Sequence, residues 1–309
     1  MARRKKGRPV DGWMIIDKPE GVTSTAVVGK VRWAFQARKA GHAGTLDPLA
    51  TGVLAVALGE ATKTIPIAQE GLKTYLFTVR LGIATTTDDA EGEVMARVDA
   101  RPSDDEIAGA LTAFEGDIMQ VPPQFSAVKV AGERAYDLAR GGEVLDLAAR
   151  PLWVESIRLV SRPDPDHVEI EMICGKGGYV RSVARDLGAV LGCHGHVVAL
   201  RRLASGGFHI AEAVGFDALD AIRAADGTSN ALLPVTAGLT DLPCVHINRG
   251  EAAQLRNGQQ VALAVTTLGY GDTAWAACDG APVAICTYRS GILSPMRVFA
   301  GPEVVDQPK

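Results

Sequence analysis

Two stretches of strict apolar–polar alternation constrain the fold of this chain more than any other feature. In "KTYLFTVRL" (73–81) every second residue from Tyr75 to Leu81 is apolar, and "HVEIEMIC" (167–174) has the same period of two. A period of two places the apolar side chains on one face of a β-strand. Both segments are therefore predicted to be strands of a sheet with a buried face.

Helical patterns accompany these strands without a regular strand–helix alternation. "TSTAVVGKVRWAFQARK" (23–39) has apolar residues at helical spacing, with Ser24 or Thr25 as candidate N-cap residues. "SDDEIAGALTAFEG" (103–116) begins with acidic residues, which favour a helix N-terminus, and a glycine turn opens a third helical pattern in 175–192. This order predicts an α+β sheet protein.

A length of 309 residues and shifts in composition predict two domains. Residues 1–10 are predicted to be a basic disordered arm. The main domain is predicted to span 11–240, and a small β-rich domain 244–309. The stretch 223–243, which overlaps the end of the main domain, is rich in Gly, Pro, Ser and Thr and is interpreted as a linker.

Composition argues against several classes of protein. No apolar run approaches the roughly 18 residues of a membrane span, and the basic start has no apolar core of a secretory signal. The five cysteines are scattered and lack CxxC spacing. Reduced thiols and a cytoplasmic location are therefore expected, with no membrane partner.

The charge of the chain is distributed unevenly. The net charge is −4, yet residues 1–80 carry thirteen Lys/Arg against six Asp/Glu, a balance of +7, which leaves −11 for the rest. Such asymmetry is typical of a face that binds a polyanion. A solvated basic patch with a flexible tail explains the same numbers equally well.

The segment "GHAGTLDPLATGVL" (41–54) places a single carboxylate, Asp47, directly before a proline and among glycines. Pro48 biases Asp47 toward an extended conformation, and the glycines allow sharp turns or close approach of another molecule. The segment is either a loop that presents a catalytic acid or a tight turn.

Three further residues each have a functional and a structural interpretation. In "KGGYVR" (176–181), Arg181 falls in the first turn of a helix, where the helix dipole disfavours a cation, so that an anionic partner is one explanation and a surface position another. Tyr75 either packs in the core or faces a cleft, where it can stack on a base. His42 is either a solvated loop residue or a ring that stacks on a nucleotide.

Familiar cofactor and nucleophile motifs are missing from the sequence. "CHGH" (193–196) lacks a second ligand pair at zinc-site spacing, and no phosphate loop, GxSxG elbow or HExxH pair occurs. A carboxylate nucleophile beside a basic face remains. That combination suggests chemistry on a nucleic-acid base, which must be flipped out of its stack to react.

The segment around Asp47 resembles the catalytic signature of the TruB family, the bacterial tRNA pseudouridine-55 synthases. Other segments fit that family in order over roughly residues 11–210: "DKPEGVTS" (17–24), "KTYLFTVRLG" (73–82), "TDDAEGE" (87–93), "PPQFSAVKVAGERAYDLARGG" (122–142) and "CGKGGYVRSVARDLGAVLGCHGHVVALRRLASG" (174–206).

The resemblance implies an isomerase that converts a uridine in the T-loop of tRNA into pseudouridine without cofactor or metal. Asp47 would be the nucleophile, with either the ribose C1′ or the uracil ring as its target. Arg181 would pair with Asp47. Tyr75 would stack on the flipped uracil and assist removal of the C5 proton.

The resemblance also implies substrate-binding residues and a fold. Tyr179 and Leu200 would line the uridine pocket, Lys18 would lie near it, and His42 would fill the space that the flipped base leaves in the T-loop. The implied fold is a long mixed or antiparallel sheet flanked by helices, with 11–240 as the catalytic domain and a PUA-like RNA-binding domain at the C-terminus.

Two other functions stay open at this stage. One is a non-catalytic RNA-binding or RNA-folding protein on the same scaffold. The other is a related synthase that acts on another RNA within a guided complex, although the basic face and the implied RNA-binding domain favour tRNA as the partner and no obligate protein partner.

Overall fold

In the computed structural model, the described residues are 7–126, 128–130, 133–135, 138, 145–263 and 265–300. Residues 1–6 of the predicted basic arm lie outside them, as do parts of the segment 122–142. Within the described residues no helix is long and apolar enough to cross a membrane.

The main structure is a mixed sheet, to which ten strands contribute within the described residues. Two neighbouring pairs in this sheet are parallel and the other pairs are antiparallel. The order across it is Val214–Gly215, Gly12–Lys18, Thr51–Leu58, Gly195–Ser205, Lys73–Leu81, His167–Cys174, Arg150–Asp164 and Gly116–Gln120, with Ala40–His42 beside Thr51–Leu58 and Phe208–His209 beside Gly195–Ser205.

The two alternating segments are strands, as predicted, and they are neighbours. Lys73–Leu81 and His167–Cys174 pair antiparallel near the middle of the sheet, with every second residue of each buried. Their apolar residues, such as Phe77 and Ile170, pack in one core cluster with the helix Val180–Val190. The α+β class with a long mixed sheet is thus confirmed.

Three helices lie where the sequence patterns predicted them: Ser24–Ala34, Asp104–Leu111 and Val180–Val190. The α-helices are Ser24–Ala34, Ile65–Ala68, Asp104–Leu111, Val180–Val190, Ala218–Ala224 and Arg249–Arg256, and short 3₁₀ turns are Gly59–Lys63, Thr112–Phe114, Ile210–Glu212 and Val235–Leu239. The helix Ser24–Ala34 is capped by Thr23, whose hydroxyl accepts from the amide of Ala26 (3.1 Å), so the predicted caps Ser24 and Thr25 were wrong. Ser24 has another role, described below.

Two sequence predictions about connecting segments are also corrected. Residues 7–10 are not part of a disordered arm, because the amide of Arg8 donates to the carbonyl of Gln36 (2.7 Å) and the amide of Arg38 to that of Arg8 (3.1 Å). The predicted linker is packed on the main sheet: Leu233 exchanges two backbone hydrogen bonds with Trp13 (2.8 Å each), and Leu239 is buried.

The C-terminal region forms a second, five-stranded sheet, which confirms the β-rich end of the chain. Its order is Cys244–His246, Thr273–Cys278, Ala281–Arg289, Ile292–Val298 and Val261–Ala262, and the helix Arg249–Arg256 packs on it. Leu239, Ile285 and Phe299 pack together where the two sheets meet. The small hairpins Ile83–Thr85 with Val94–Arg97 and Lys129–Val130 with Glu133–Arg134 complete the strands described.

Candidate active site

A cleft of about 650 Å³ opens beside the middle strands of the main sheet. Its walls are the loop that carries Asp47, the ends of the central strands and the glycine turn before Val180–Val190. Five residues singled out from the sequence lie together on these walls: Asp47, Tyr75, Tyr179, Arg181 and Leu200. This cleft is the candidate active site.

The loop that carries Asp47 is fixed by hydrogen bonds to its backbone. The Ser24 hydroxyl donates to the carbonyl of Leu46 and accepts from its amide, both at 2.9 Å. The carbonyl of Pro48 accepts from the ammonium of Lys18 (3.1 Å) and from the amide of Gly21 (2.8 Å). The sharp turn in the sequence is therefore a preorganised support for the Asp47 side chain, which is 43% exposed.

Arg181 connects Asp47 to a second carboxylate. Its guanidinium lies 2.8 Å from the Asp47 carboxylate and 3.4 Å from that of Asp89, which is almost fully buried. It also donates to the carbonyls of Thr87 (3.2 Å) and Phe125 (2.9 Å). A cation in the first turn of a helix is stabilised here because two carboxylates and two carbonyls surround it.

Asp89 is held in turn by its own loop. Its carboxylate accepts hydrogen bonds from the Thr87 hydroxyl and from the amide of Glu91 (3.1 Å). Asp89, Arg181 and Asp47 thus form two consecutive ion pairs, in which Asp89 and Arg181 are buried and Asp47 is half-exposed. The half-exposed Asp47 carboxylate faces the cleft.

Tyr75, Tyr179 and Leu200 supply ring and apolar surface beside Asp47. Tyr75 is buried on Lys73–Leu81, and Tyr179 precedes the Arg181 helix, where Gln120 bonds both its amide (2.8 Å) and its carbonyl (3.2 Å). Burial raises the pKa of both phenols. Both are therefore neutral rings at neutral pH.

His42 and Lys18 lie near the cleft but not among its lining residues. His42 ends the strand Ala40–His42, and burial together with the Arg202 cation lowers its pKa, so the imidazole is neutral at neutral pH. Lys18 is fully buried behind the loop and donates to the carbonyls of Pro19 (2.8 Å) and Val22 (2.7 Å) as well as Pro48. Burial lowers the pKa of Lys18 to about 8.

The described residues hold no cluster of three or more metal-ligating side chains. In the "CHGH" segment, His196 is buried and its Nδ1 donates to the carbonyl of Ile83 (2.9 Å), while Cys193 packs in the core. These two residues have structural roles.

Three buried polar residues of the cleft were not singled out from the sequence: Asp89, Arg202 and Lys73. Asp89 lies in "TDDAEGE", a segment that fits the family but whose four acidic residues were assigned no role from the sequence. Arg202 follows Leu200 by two residues on the same strand, a spacing that places both on one face. Lys73 begins a strand and donates to the carbonyl of Gly71 (2.5 Å).

Chemically, the cleft combines a fixed carboxylate with an enclosed, partly apolar space. The carboxylate is accessible, its orientation is set by an arginine, and rings flank it. Such a group can act as a nucleophile on a planar base or on its sugar, with the rings holding the base by stacking.

Family models match most of this region. Residues 32–180 match the model described as "TruB family pseudouridylate synthase (N terminal domain)". Residues 181–240 match "tRNA pseudouridylate synthase B C-terminal domain", so that this part lies within the main-sheet region and precedes the five-stranded sheet.

Curated relatives match nearly the whole chain. A protein of Dinoroseobacter shibae named "tRNA pseudouridine synthase B" is 60% identical over 299 residues, which cover 97% of this chain and 98% of the relative. One of the same name from Ruegeria pomeroyi is 58% identical over 303 residues, covering 98% of this chain and all of the relative.

Solved structures share the fold. A chain of "Crystal Structure of a Cbf5-Nop10-Gar1 Complex" superposes with a TM-score of 0.75 at 25% identity, covering 94% of this chain and 85% of that chain. A chain of "Structure of H/ACA RNP bound to a substrate RNA containing 2'-deoxyuridine" has a TM-score of 0.74 at 23% identity, covering 97% and 92%.

Proposed function

The chain belongs to the TruB family of pseudouridylate synthases, and we propose that it isomerises a uridine in the T-loop of tRNA, at position 55, to pseudouridine. The observation that carries this proposal is the Asp47–Arg181 ion pair at 2.8 Å in a cleft lined by Tyr75, Tyr179 and Leu200. The protein is accordingly an isomerase whose partner is tRNA.

The reaction rearranges one nucleotide without net oxidation or reduction. The bond between N1 of uracil and the ribose C1′ breaks, a bond between C5 and C1′ forms, and the proton lost from C5 is balanced by one gained at N1. Asp47 serves as the nucleophile, for which the ribose C1′ and the uracil ring are both possible targets. Arg181 orients its carboxylate through the short ion pair.

The remaining site residues bind the flipped nucleotide. Tyr75 stacks on the uracil and assists loss of the C5 proton, while Tyr179 and Leu200 line the pocket. Lys18 supports the loop of Asp47 from behind. His42, outside the lining of the cleft, fills the T-loop position that the base leaves.

Catalysis and accessory RNA binding are assigned to different parts of the chain. Residues 11–240 form the catalytic domain, and 244–309 a PUA-like domain that binds RNA. The chain acts in the cytoplasm, without an obligate protein partner, cofactor or metal. Purified protein alone, dialysed against EDTA, is therefore expected to retain full activity on tRNA.

A tritium-release assay tests the function. Uridine labelled at C5 in a T-arm transcript loses its label when the base rejoins through C5, so wild type releases tritium and Asp47→Asn releases none. RNA affinity of the variant stays within about tenfold, because a single rim carboxylate contributes little to binding. Asp17→Asn, which removes a carboxylate outside the cleft, is the matched control and keeps its activity.

Two results would contradict the proposal in different ways. Release by Asp47→Asn at the wild-type rate would remove Asp47 from the nucleophile role. No release by wild type, with tight RNA binding intact, would favour the non-catalytic RNA-binding protein.

A further inference from the structure

Arg202 is a buried cation beside the nucleophile loop. Only 1% of the residue is exposed, and it lines the cleft. Its Nε donates to the carbonyl of Val53 (2.8 Å), its Nη2 to that of Gly44 (3.1 Å) and its Nη1 to that of Thr45 (3.4 Å). In the part of the chain that the structure describes, no carboxylate lies within ion-pair distance of it.

A buried charge without a counter-ion is costly, and uncharged residues of similar size fill a core at lower cost. The acceptors of Arg202 therefore indicate what the charge is for. Two of the three carbonyls, those of Gly44 and Thr45, belong to the turn that leads into Asp47. The planar guanidinium reaches all three because its donors diverge in a fixed fork.

The backbone of Arg202 fixes the other end of the same loop. Arg202 pairs with Gly52 between two parallel strands, and a Cβ added to Gly52 would lie 2.2 Å from the Arg202 carbonyl oxygen. Gly52 also has a φ of +97°, which other residues rarely adopt. Arg202 thus contacts the Asp47 loop at two places. Its side chain contacts Gly44 and Thr45, before Asp47, and its backbone contacts Gly52, after Asp47.

Arg202 also neighbours Tyr75, the other side chain with a proposed role in the reaction. Tyr75 stands opposite Arg202 in the register of the strands Lys73–Leu81 and Gly195–Ser205, and both residues line the cleft. The positive charge of Arg202 opposes the rise that burial gives the pKa of Tyr75.

We propose that Arg202 is a positioning residue for the isomerisation, which fixes the Asp47 loop and the Tyr75 phenol in one geometry. The inference rests on the proposed function and deepens it. Arg181 orients the Asp47 carboxylate directly, whereas Arg202 acts through the backbone of the loop and through Tyr75.

The test compares two adjacent arginines. Arg202→Gln and Arg202→Lys remove the fork, and the control Arg201→Gln removes the neighbour, which pairs with Asp17 (2.8 Å) away from the cleft. We expect Arg202→Gln to lower the single-turnover rate at saturating tRNA by about 100-fold, the loss typical of a misplaced reacting group, with the tRNA Kd within threefold. Arg202→Lys should lose about tenfold, and Arg201→Gln should stay within threefold.

A second measurement needs no substrate and so separates this inference from the function itself. Amide hydrogen exchange of the peptide covering residues 43–50 should accelerate at least tenfold in Arg202→Gln and Arg202→Lys, but not in Arg201→Gln. If wild type were inactive on tRNA, the function would fail while the exchange result still decided the role of Arg202.

Several outcomes overturn the proposal. They are wild-type rates in Arg202→Lys, a loss confined to the tRNA Kd, and unchanged exchange in 43–50. If Arg202→Gln does not fold, Arg202→Lys carries the same comparison. A double-mutant cycle with Tyr75→Phe should be non-additive in rate, and strict additivity would remove the link through Tyr75.

Discussion

The two sheets of the molecule bury different kinds of side chain. Around the main sheet, polar and charged residues such as Lys18, Asp89, Arg181 and Arg202 are buried, and most contact the cleft or its loop. Between 244 and 300, the residues that the structure describes as buried are apolar or cysteine. The C-terminal sheet thus has an apolar core, whereas the main sheet also buries charged groups beside the cleft.

The difference has a physical cause. Buried charges lower stability unless each is paired, so they are found where orientation of a reacting group requires them. An apolar core imposes no such orientation. Changes to buried polar groups should therefore alter chemistry, and changes in the C-terminal sheet should alter RNA affinity or stability without altering the chemical step.

The largest effect is expected for Arg181→Met. It leaves Asp89 buried without its cation, so the free energy of unfolding should fall by about 3–5 kcal/mol. Loss of the ion pair to Asp47 should lower the single-turnover rate by about 10²–10³-fold. Urea unfolding and tritium release at saturating tRNA measure the two.

The matched change in the other sheet is Arg249→Met. Arg249 pairs with Asp279 at 2.9 Å, but both side chains are exposed. An exposed pair contributes about 0–1 kcal/mol, so neither stability nor rate should change much. Equal losses of stability and of single-turnover rate in Arg181→Met and Arg249→Met would contradict the difference proposed between the two sheets.

Much of this site was predictable from the sequence, including the Asp47–Arg181 pair that the family resemblance implied, but the partners of Asp89 and Arg202 were not. The alternation of 73–81 and 167–174 predicted two central strands, and proline and glycine around Asp47 predicted an unusual loop. Asp89 and Arg202 were missed because their partners lie far away in the chain: Arg181 for the first, Gly44 and Thr45 for the second. Only the tertiary fold reveals such contacts.

The longest strand was missed for a different reason. Arg150–Asp164 has fifteen residues, but prolines at both ends and several charges obscure its alternation. It has a strand on each side in the sheet, so that backbone pairing to His167–Cys174 and Gly116–Gln120 outweighs its weak local pattern. Ser24 shows the reverse case, since its hydroxyl fits a helix cap by sequence but bonds Leu46 instead.

Salt should weaken tRNA binding more than it affects chemistry. Each neutralised phosphate contributes about −0.7 to −0.9 to the slope of log K against log salt, so four contacts imply roughly a 100-fold loss of affinity between 50 and 200 mM. Several basic groups are already paired within the protein, as Lys30 is with Asp220 (3.0 Å), which limits the slope. Filter binding at increasing salt measures it, and a flat response would contradict polyanion binding.

Removal of 244–309 should reduce tRNA affinity by about tenfold, which corresponds to about 1.4 kcal/mol of binding free energy. The rate at saturating tRNA should change less than threefold. Substitution of Leu239 by a polar residue in the truncated chain keeps its exposed contact surface soluble, because Leu239 packs on Phe299 in the full chain. A large loss of the saturated rate would show that the C-terminal sheet takes part in catalysis.

The smallest expected effect is an opposite pH dependence of the free energy of unfolding from one buried group in each sheet. The pKa of Lys18 is lowered from 10.5 to about 8 in the folded chain, so between these values the unfolded chain binds more protons and stability rises with pH. Relative to Lys18→Met, the wild-type free energy of unfolding should rise by about 0.7 kcal/mol from pH 7.5 to 8.5.

Cys286, in the C-terminal sheet, has a pKa raised from 9.0 to about 12. The wild-type free energy of unfolding relative to Cys286→Ala should therefore fall, by only about 0.1 kcal/mol over the same pH range. Urea unfolding at the two pH values gives both signs, and an unchanged difference for Lys18 would show that its three carbonyl partners keep the ammonium charged despite burial.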